Sequence, residues 1–196
     1  MSEFYLYLKM GWEHVLDLNA YDHVLFLAAL MVPYLFKDFK RVLLLVSLFT
    51  LGHTIALCLS VLKVVEVKAS FVEFLIPITI FITALYYLFT ARFSKSNRSI
   101  TFVSGVTLFF GLIHGLGFSN YFKMMVADQP SNVFVPLVSF AIGIEAAQIA
   151  VVAVVLCLSF IAQSFLNFSK KEWTLILSAF ILGMVTPMLL ESNIWN

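Results

Sequence analysis

Charge is what this sequence has least of. Only 12% of its 196 residues are Asp, Glu, Lys or Arg, against about 25% in a soluble domain. The net charge is +1, so no basic footprint for nucleic acid exists. Cysteine is also scarce. Cys58 and Cys157 stand in separate apolar runs and no CxxC pair is present, which excludes a disulfide framework and a zinc–thiolate cluster. The seven methionines form no MxxM-type cluster, so copper(I), which favours sulfur, has no ligand set. No GxSxG, P-loop or GxGxxG pattern occurs, and Gly115–Ser119 lacks nucleophile-elbow spacing. No resident prosthetic group is therefore expected. The N-terminus has no basic stretch leading into an apolar core and a small-residue cleavage site, so a cleaved signal peptide is not expected either.

What is abundant is apolar. The chain is 62% hydrophobic, with a mean hydropathy of +1.00. That composition makes an integral membrane protein, with the lipid bilayer as its first partner. The fold expected is all-α: a polytopic membrane helix bundle of about six spans, forming a single transmembrane domain over 1–196. The apolar runs fall at about 21–36, 42–62, 70–90, 100–120, 134–163 and 173–190. The second would cover roughly 30 Å at about 1.5 Å per residue, the thickness of a bilayer core. Residues 3–18 are too short and too charged to span alone. They read as an amphipathic interfacial or re-entrant half-helix, with Phe4, Leu8, Trp12 and Val15 on one face. Trp12, Trp173 and Trp195 fit interfacial belts.

Basic residues choose an orientation. They cluster after the first, third and fifth spans: Lys37, Lys40 and Arg41; Arg92, Lys95 and Arg98; Lys170 and Lys171. The alternate loops carry little beyond Lys63 and Lys68, and the fourth is a polar turn with Asp128, Pro130 and Asn132. The positive-inside rule then places both termini outside the cytoplasm of a cell (inner) membrane. A homo-oligomer is compatible with this arrangement.

The polar residues that remain are concentrated. Glu13–His23, EHVLDLNAYDH, holds two histidines, two aspartates and a glutamate against a long apolar run. In the expected topology His14, Asp17, Asp22 and His23 lie at the outer mouth and Glu73 enters from the same side. His53, His114 and Glu145 lie between that mouth and the midplane, with Gln148 one turn from Glu145. Lysine and arginine are almost absent from the spans, so these carboxylates need protons, histidines or a bound cation. Imidazole and carboxylate without thiolate suit Ni²⁺, Co²⁺ or Zn²⁺. Each feature also has a structural alternative. His14–Asp17 can be a surface pair and Asp22 a helix cap. Thr50 and Thr54 beside His53 can be interhelical hydrogen bonding, and Gly111-x3-Gly115 close helix packing. Glu145 can be a packed neutral carboxyl. Their shared depth favours a common function. A short repeat is also visible: Phe49-Thr-Leu-Gly-His53 and Phe110-Gly-Leu-Ile-His114 share the form FxLxH.

The set His14, Asp22–His23, Leu25–Phe26, FTLGHTIAL, VEFLIPI, FGLIHGLGFS and FAIGIEAAQ resembles the HupE/UreJ family of membrane nickel permeases, in its second subfamily, over about residues 11–160. The resemblance implies a small bundle moving nickel, or cobalt, across the membrane. It also implies a functional set of Asp22, His23, His53, His114 and Glu145, supported by Glu73 and Gln148. The first motif departs from the family's usual His-x5-Asp-His: here it is His14-x7-Asp22-His23, with Asn19–Ala20 where the family has a glycine. The expected function is transport of a divalent transition metal through a His/carboxylate site, with no enzymatic step. The alternatives are an integral-membrane zinc hydrolase using the same cluster and a non-transporting metal sensor.

Overall fold

A computed structural model describes residues 2–17, 19–91, 100–127 and 133–192. The described residues form seven helices and no strand: α1 (Glu3–Val15), α2 (Asp22–Met31), α3 (Phe39–Val61), α4 (Ala69–Thr90), α5 (Ile100–Val126), α6 (Phe134–Ser164) and α7 (Lys170–Leu190), with a 3₁₀ turn at Phe36–Asp38. Helices α3 to α7 are each long and apolar enough to cross a membrane. The expected basic loop residues Arg92, Lys95 and Arg98, the turn residues Asp128, Pro130 and Asn132, and Trp195 lie outside the described residues.

Local chemistry sets the helix ends. Ser2 caps α1, its hydroxyl accepting from the Tyr5 amide. Ser169 and Glu172 form a reciprocal capping box that starts α7. Helices α3 and α6 are each followed by a left-handed residue, Lys63 (φ 57°) and Asn167 (φ 56°). There the backbone turns back, with the Val64 amide on the Leu59 carbonyl and the Phe168 amide on the Ala162 carbonyl. Pro136 sits in the first turn of α6, where no intrahelical donor is needed.

The run expected as the first span is not one helix. Helix α2 has ten residues, about 15 Å at about 1.5 Å per residue, half of a bilayer core. It ends at Met31 with Val32 as its C-cap, followed by Pro33, which has no amide hydrogen to donate into a further turn. Contacts with α5 show how α1 and α2 are arranged. Tyr7 of α1 donates its hydroxyl to the Met125 carbonyl and packs on Phe122. His14 packs on Phe118, His23 on His114, and Phe26 on Phe110. Partners on α5 thus step back one turn at a time, 122, 118, 114, 110, as the N-terminal segment advances. Helices α1 and α2 therefore follow one another antiparallel to α5, with α1 packed chiefly along α6. The N-terminal segment, expected as an interfacial or re-entrant half-helix, packs against the other helices. The break between α1 and α2 falls at His14–His23.

Close backbone approach holds the bundle at that level. A Cβ on Gly115 would collide with the His53 carbonyl oxygen, and one on Gly111 with that of Phe49, so α3 and α5 touch along their backbones and run parallel. The same holds between α1 and α6 at Gly11 and Gly143. In a bilayer such packing replaces the hydrophobic effect as the force between helices. Around it the largest wholly buried side chains are Phe26, Phe49, Phe122 and Phe140.

Candidate metal centre

The break between α1 and α2 is a turn made by the chain itself. Asp17 accepts hydrogen bonds from the Asn19 amide at 2.9 Å and its side-chain nitrogen at 3.2 Å, an Asx-type reversal. The His14 and His23 rings end 4.6 Å apart. Gly52 and Gly115 let α3 and α5 close together, which delivers His53 and His114 to the same level. The His14 ring lies 5.7 Å from that of His53, and the His23 ring 5.8 Å from His53 and 5.2 Å from His114.

One nitrogen from each of His14, His23 and His53 falls in a set lying within 4.8 Å of one another. A single ion can reach all three with small side-chain adjustments, since metal–nitrogen bonds are about 2.0–2.1 Å. Two of the four rings have their tautomers fixed. His23 Nδ1 lies 3.1 Å from Asp22 Oδ1, and an ionised carboxylate only accepts, so Nδ1 carries the proton. His114 Nδ1 lies 2.9 Å from the Phe110 carbonyl oxygen and is protonated for the same reason. In both rings Nε2 is left with its lone pair. The Nε2 atoms of His14, His23, His53 and His114 are all buried without a hydrogen-bond partner, as is His53 Nδ1. Each unsatisfied buried polar group costs about 1–3 kcal/mol; on His23 and His114 the unpartnered Nε2 carries a lone pair, and a metal ion would satisfy those two together with one nitrogen of His14 and of His53. The donor chemistry fits a borderline divalent metal. The carbonyl end of α1, the negative end of its dipole, also points into the break.

Asp22 serves through His23. It accepts from the His23 amide at 2.9 Å and orients the ring, the carboxylate–histidine arrangement that fixes a metal ligand from outside the coordination sphere. Asp17 is exposed in the turn and lines, with Met10, Trp12, Glu13, His14 and Phe118, a cavity of about 730 Å³. This cavity reaches His14 from the α1 side. Phe118 covers His14 at 4.0 Å and stacks on Phe140 at 5.1 Å. Its place, one turn beyond His114, was the signal for it in the sequence.

The remaining expected residues do not join the histidines. Glu73 is exposed near the start of α4. Glu145 is half-buried on the α3–α6 seam, where Ser47 donates to its Oε1 at 2.5 Å. The buried stripe of α6 is Ile144, Ala147, Gln148 and Val151, and Glu145 stands about 100° around the helix from Ile144. Gln148 faces inward instead. It is wholly buried, its Oε1 accepts from Thr50 at 3.2 Å, and its amide nitrogen has no partner. The stripe beside His53 thus does make interhelical hydrogen bonds, one turn from the imidazole cluster.

A family model described as HupE / UreJ protein matches residues 1–192. No curated protein and no solved structure matches the chain.

Proposed function

Because the chain belongs to the HupE/UreJ family, which is associated with metal (nickel/cobalt) transport, we propose that it carries nickel, with cobalt as the alternative ion, through the break between α1 and α2. The observation that carries this is the group of four buried imidazoles, each with an Nε2 that has no hydrogen-bond partner, beside the gap between α1 and α2. Discontinuous helices that place a site near the midplane are a transporter design.

In this reading the ion loses water in the cavity beside Glu13 and Asp17, then rests on His14, His23 and His53. His114 stands 5.2 Å from His23 on the other side and offers the next imidazole along the path. A set of neutral imidazoles, with Asp22 supplying charge from outside the coordination sphere, gives the moderate affinity that entry and release both need. The end bearing Lys37, Lys40, Arg41, Lys170 and Lys171 faces the cytoplasm, and the termini lie outside.

Three imidazoles are also a zinc-hydrolase ligand set, but hydrolysis needs a carboxylate free to act as base. Among the described residues Asp22 is bonded to His23 and Glu145 to Ser47 away from the cluster, which leaves Glu13 and Asp17, in the cavity beside His14, as the carboxylates a hydrolase would have to use.

Uptake of Ni²⁺, Co²⁺ and Zn²⁺ into proteoliposomes tests the proposal. Nickel or cobalt flux should be present with the intact chain and lost in His53→Ala and His114→Ala. Equal uptake by protein-free liposomes, or unchanged flux in both variants, ends it. Stoichiometric zinc surviving purification, with no flux, would favour the hydrolase.

A further inference from the structure

A second cavity lies on the far side of the histidines, between α2, α4 and α5. Its volume is about 580 Å³, and its walls include Phe26, Leu30, Ile82, Thr83, Gly105 and Phe110. The lining residues of α5 run from Thr101 to Phe110, nearer the basic end than His114. The lining is apolar even where the sequence is not. Thr83 turns its hydroxyl onto the Thr79 carbonyl at 2.7 Å, and Thr107, also lining it, onto the Val103 carbonyl at 2.8 Å. Neither hydroxyl is aimed at a polar occupant. Gly105 adds a stretch of bare backbone, and a Cβ there would meet nothing within 4 Å.

We propose that this groove holds one acyl chain of a phospholipid from the leaflet at the basic end. Three observations converge on that occupant. The groove lies in the flank of a bundle whose solvent is lipid, so acyl chains reach it at the highest concentration available. Its apolar walls would make a hydrated ion or a polar solute lose its hydrogen bonds without replacement. Its length also fits: from Thr101 to Phe110 α5 rises about 14 Å, close to the roughly 15 Å of hydrocarbon in one leaflet. The inner end is closed by Phe26 and Phe110. Phe26 packs on His114 at 5.1 Å, and the Phe110 carbonyl accepts from that ring. The terminal methyl of the chain therefore presses on the residues that hold the fourth imidazole. The proposal needs only the bilayer and holds whichever ion the histidines bind.

The test uses the full chain in phosphatidylcholine vesicles doped with a phospholipid carrying a diazirine in one acyl chain. Photo-adducts are mapped on the intact protein, on G105A, which leaves the groove open, and on G105F, which fills it. Adducts concentrated on residues 82–87 and 101–110, kept in G105A and lost in G105F, are the expected result. Adducts spread evenly over all lipid-facing helices, or unchanged in G105F, overturn it. A second arm does not depend on G105F folding: with C58S and C157S as background, G105C, at the exposed position of the groove, should react with a lipid-soluble maleimide and resist a membrane-impermeant thiol reagent. Rapid labelling by the impermeant reagent would make the groove a water-filled vestibule and refute the lipid chain.

Discussion

His23 and Asp22, adjacent in the chain, also pair through their side chains: Nδ1 of the histidine lies 3.1 Å from Oδ1 of the aspartate, while the same oxygen accepts from the His23 backbone amide. The carboxylate therefore fixes both the ring's rotation and its proton. It also places one negative charge beside a cluster of otherwise neutral donors.

Asp22→Asn keeps an oxygen that can accept from the ring but removes the charge and admits the wrong amide orientation. Loss of such an outer partner costs about 10–100-fold in metal affinity. Titration of the purified protein with Co²⁺, followed by its visible absorption, should show that loss in Asp22→Asn and a larger one in His23→Ala. Equal affinity in Asp22→Asn and the unaltered protein would remove Asp22 from the site.

Acid should weaken binding. A ligating imidazole nitrogen must be unprotonated, so protons compete with the metal as pH falls. Burial disfavours the charged form of the His14 imidazole and holds its pKa well below the usual range, so the expected sign is lower affinity and lower flux in acid, setting in below the free-imidazole range and steepening as more than one ring takes up a proton. Binding and uptake measured from about pH 8 down to the acid limit of folding check this, and affinity that holds or rises throughout that range would exclude imidazole ligation.

The glycines divide into those that hold the site and those that do not. At Gly115 a side chain would strike the backbone of His53, which has no rotamer to escape into, whereas Gly105 faces open space. Gly115→Leu should force α3 from α5, separate His53 from His114, and lower thermal stability in detergent together with Co²⁺ binding. Gly105→Ala should be neutral or stabilising by up to about 1 kcal/mol, the helix-propensity difference. Similar losses from both substitutions would contradict the α3–α5 contact.

Much of the bundle was legible because membrane spans announce themselves by length and apolarity: helices α3 to α7 each begin close to the start of an expected run, although α5 continues to Val126, past the expected end near 120. The N-terminal half was not. Residues 21–36 read as a span because Val24–Tyr34 is continuously apolar, yet Pro33 and the 3₁₀ turn at Phe36 stop α2 after ten residues. Only the contacts with α5 and α6 show that α1 packs in line with α2. The histidines were recognisable as a group from their shared depth. Which nitrogen each ring leaves free could not be read, because that depends on contacts such as the Phe110 carbonyl on His114. Glu145 shared the same depth, but depth along a helix does not give direction around it, and one residue's displacement from the buried stripe turned its carboxyl to the α3–α6 seam.

That displacement separates two otherwise similar variants. Glu145→Gln preserves an acceptor for Ser47 and leaves the histidine cluster untouched, so Co²⁺ affinity at equilibrium should stay within about twofold of the unaltered protein, well inside a 1.4 kcal/mol, tenfold step. Gln148→Leu removes a wholly buried side chain bonded to Thr50. It leaves the Thr50 hydroxyl without its interhelical acceptor, at a cost of about 1–3 kcal/mol, one turn from His53, and should lower thermal stability. If Glu145→Gln instead abolished Co²⁺ binding while His53→Ala left it intact, the metal would be held on the α3–α6 seam and the imidazole site would be wrong.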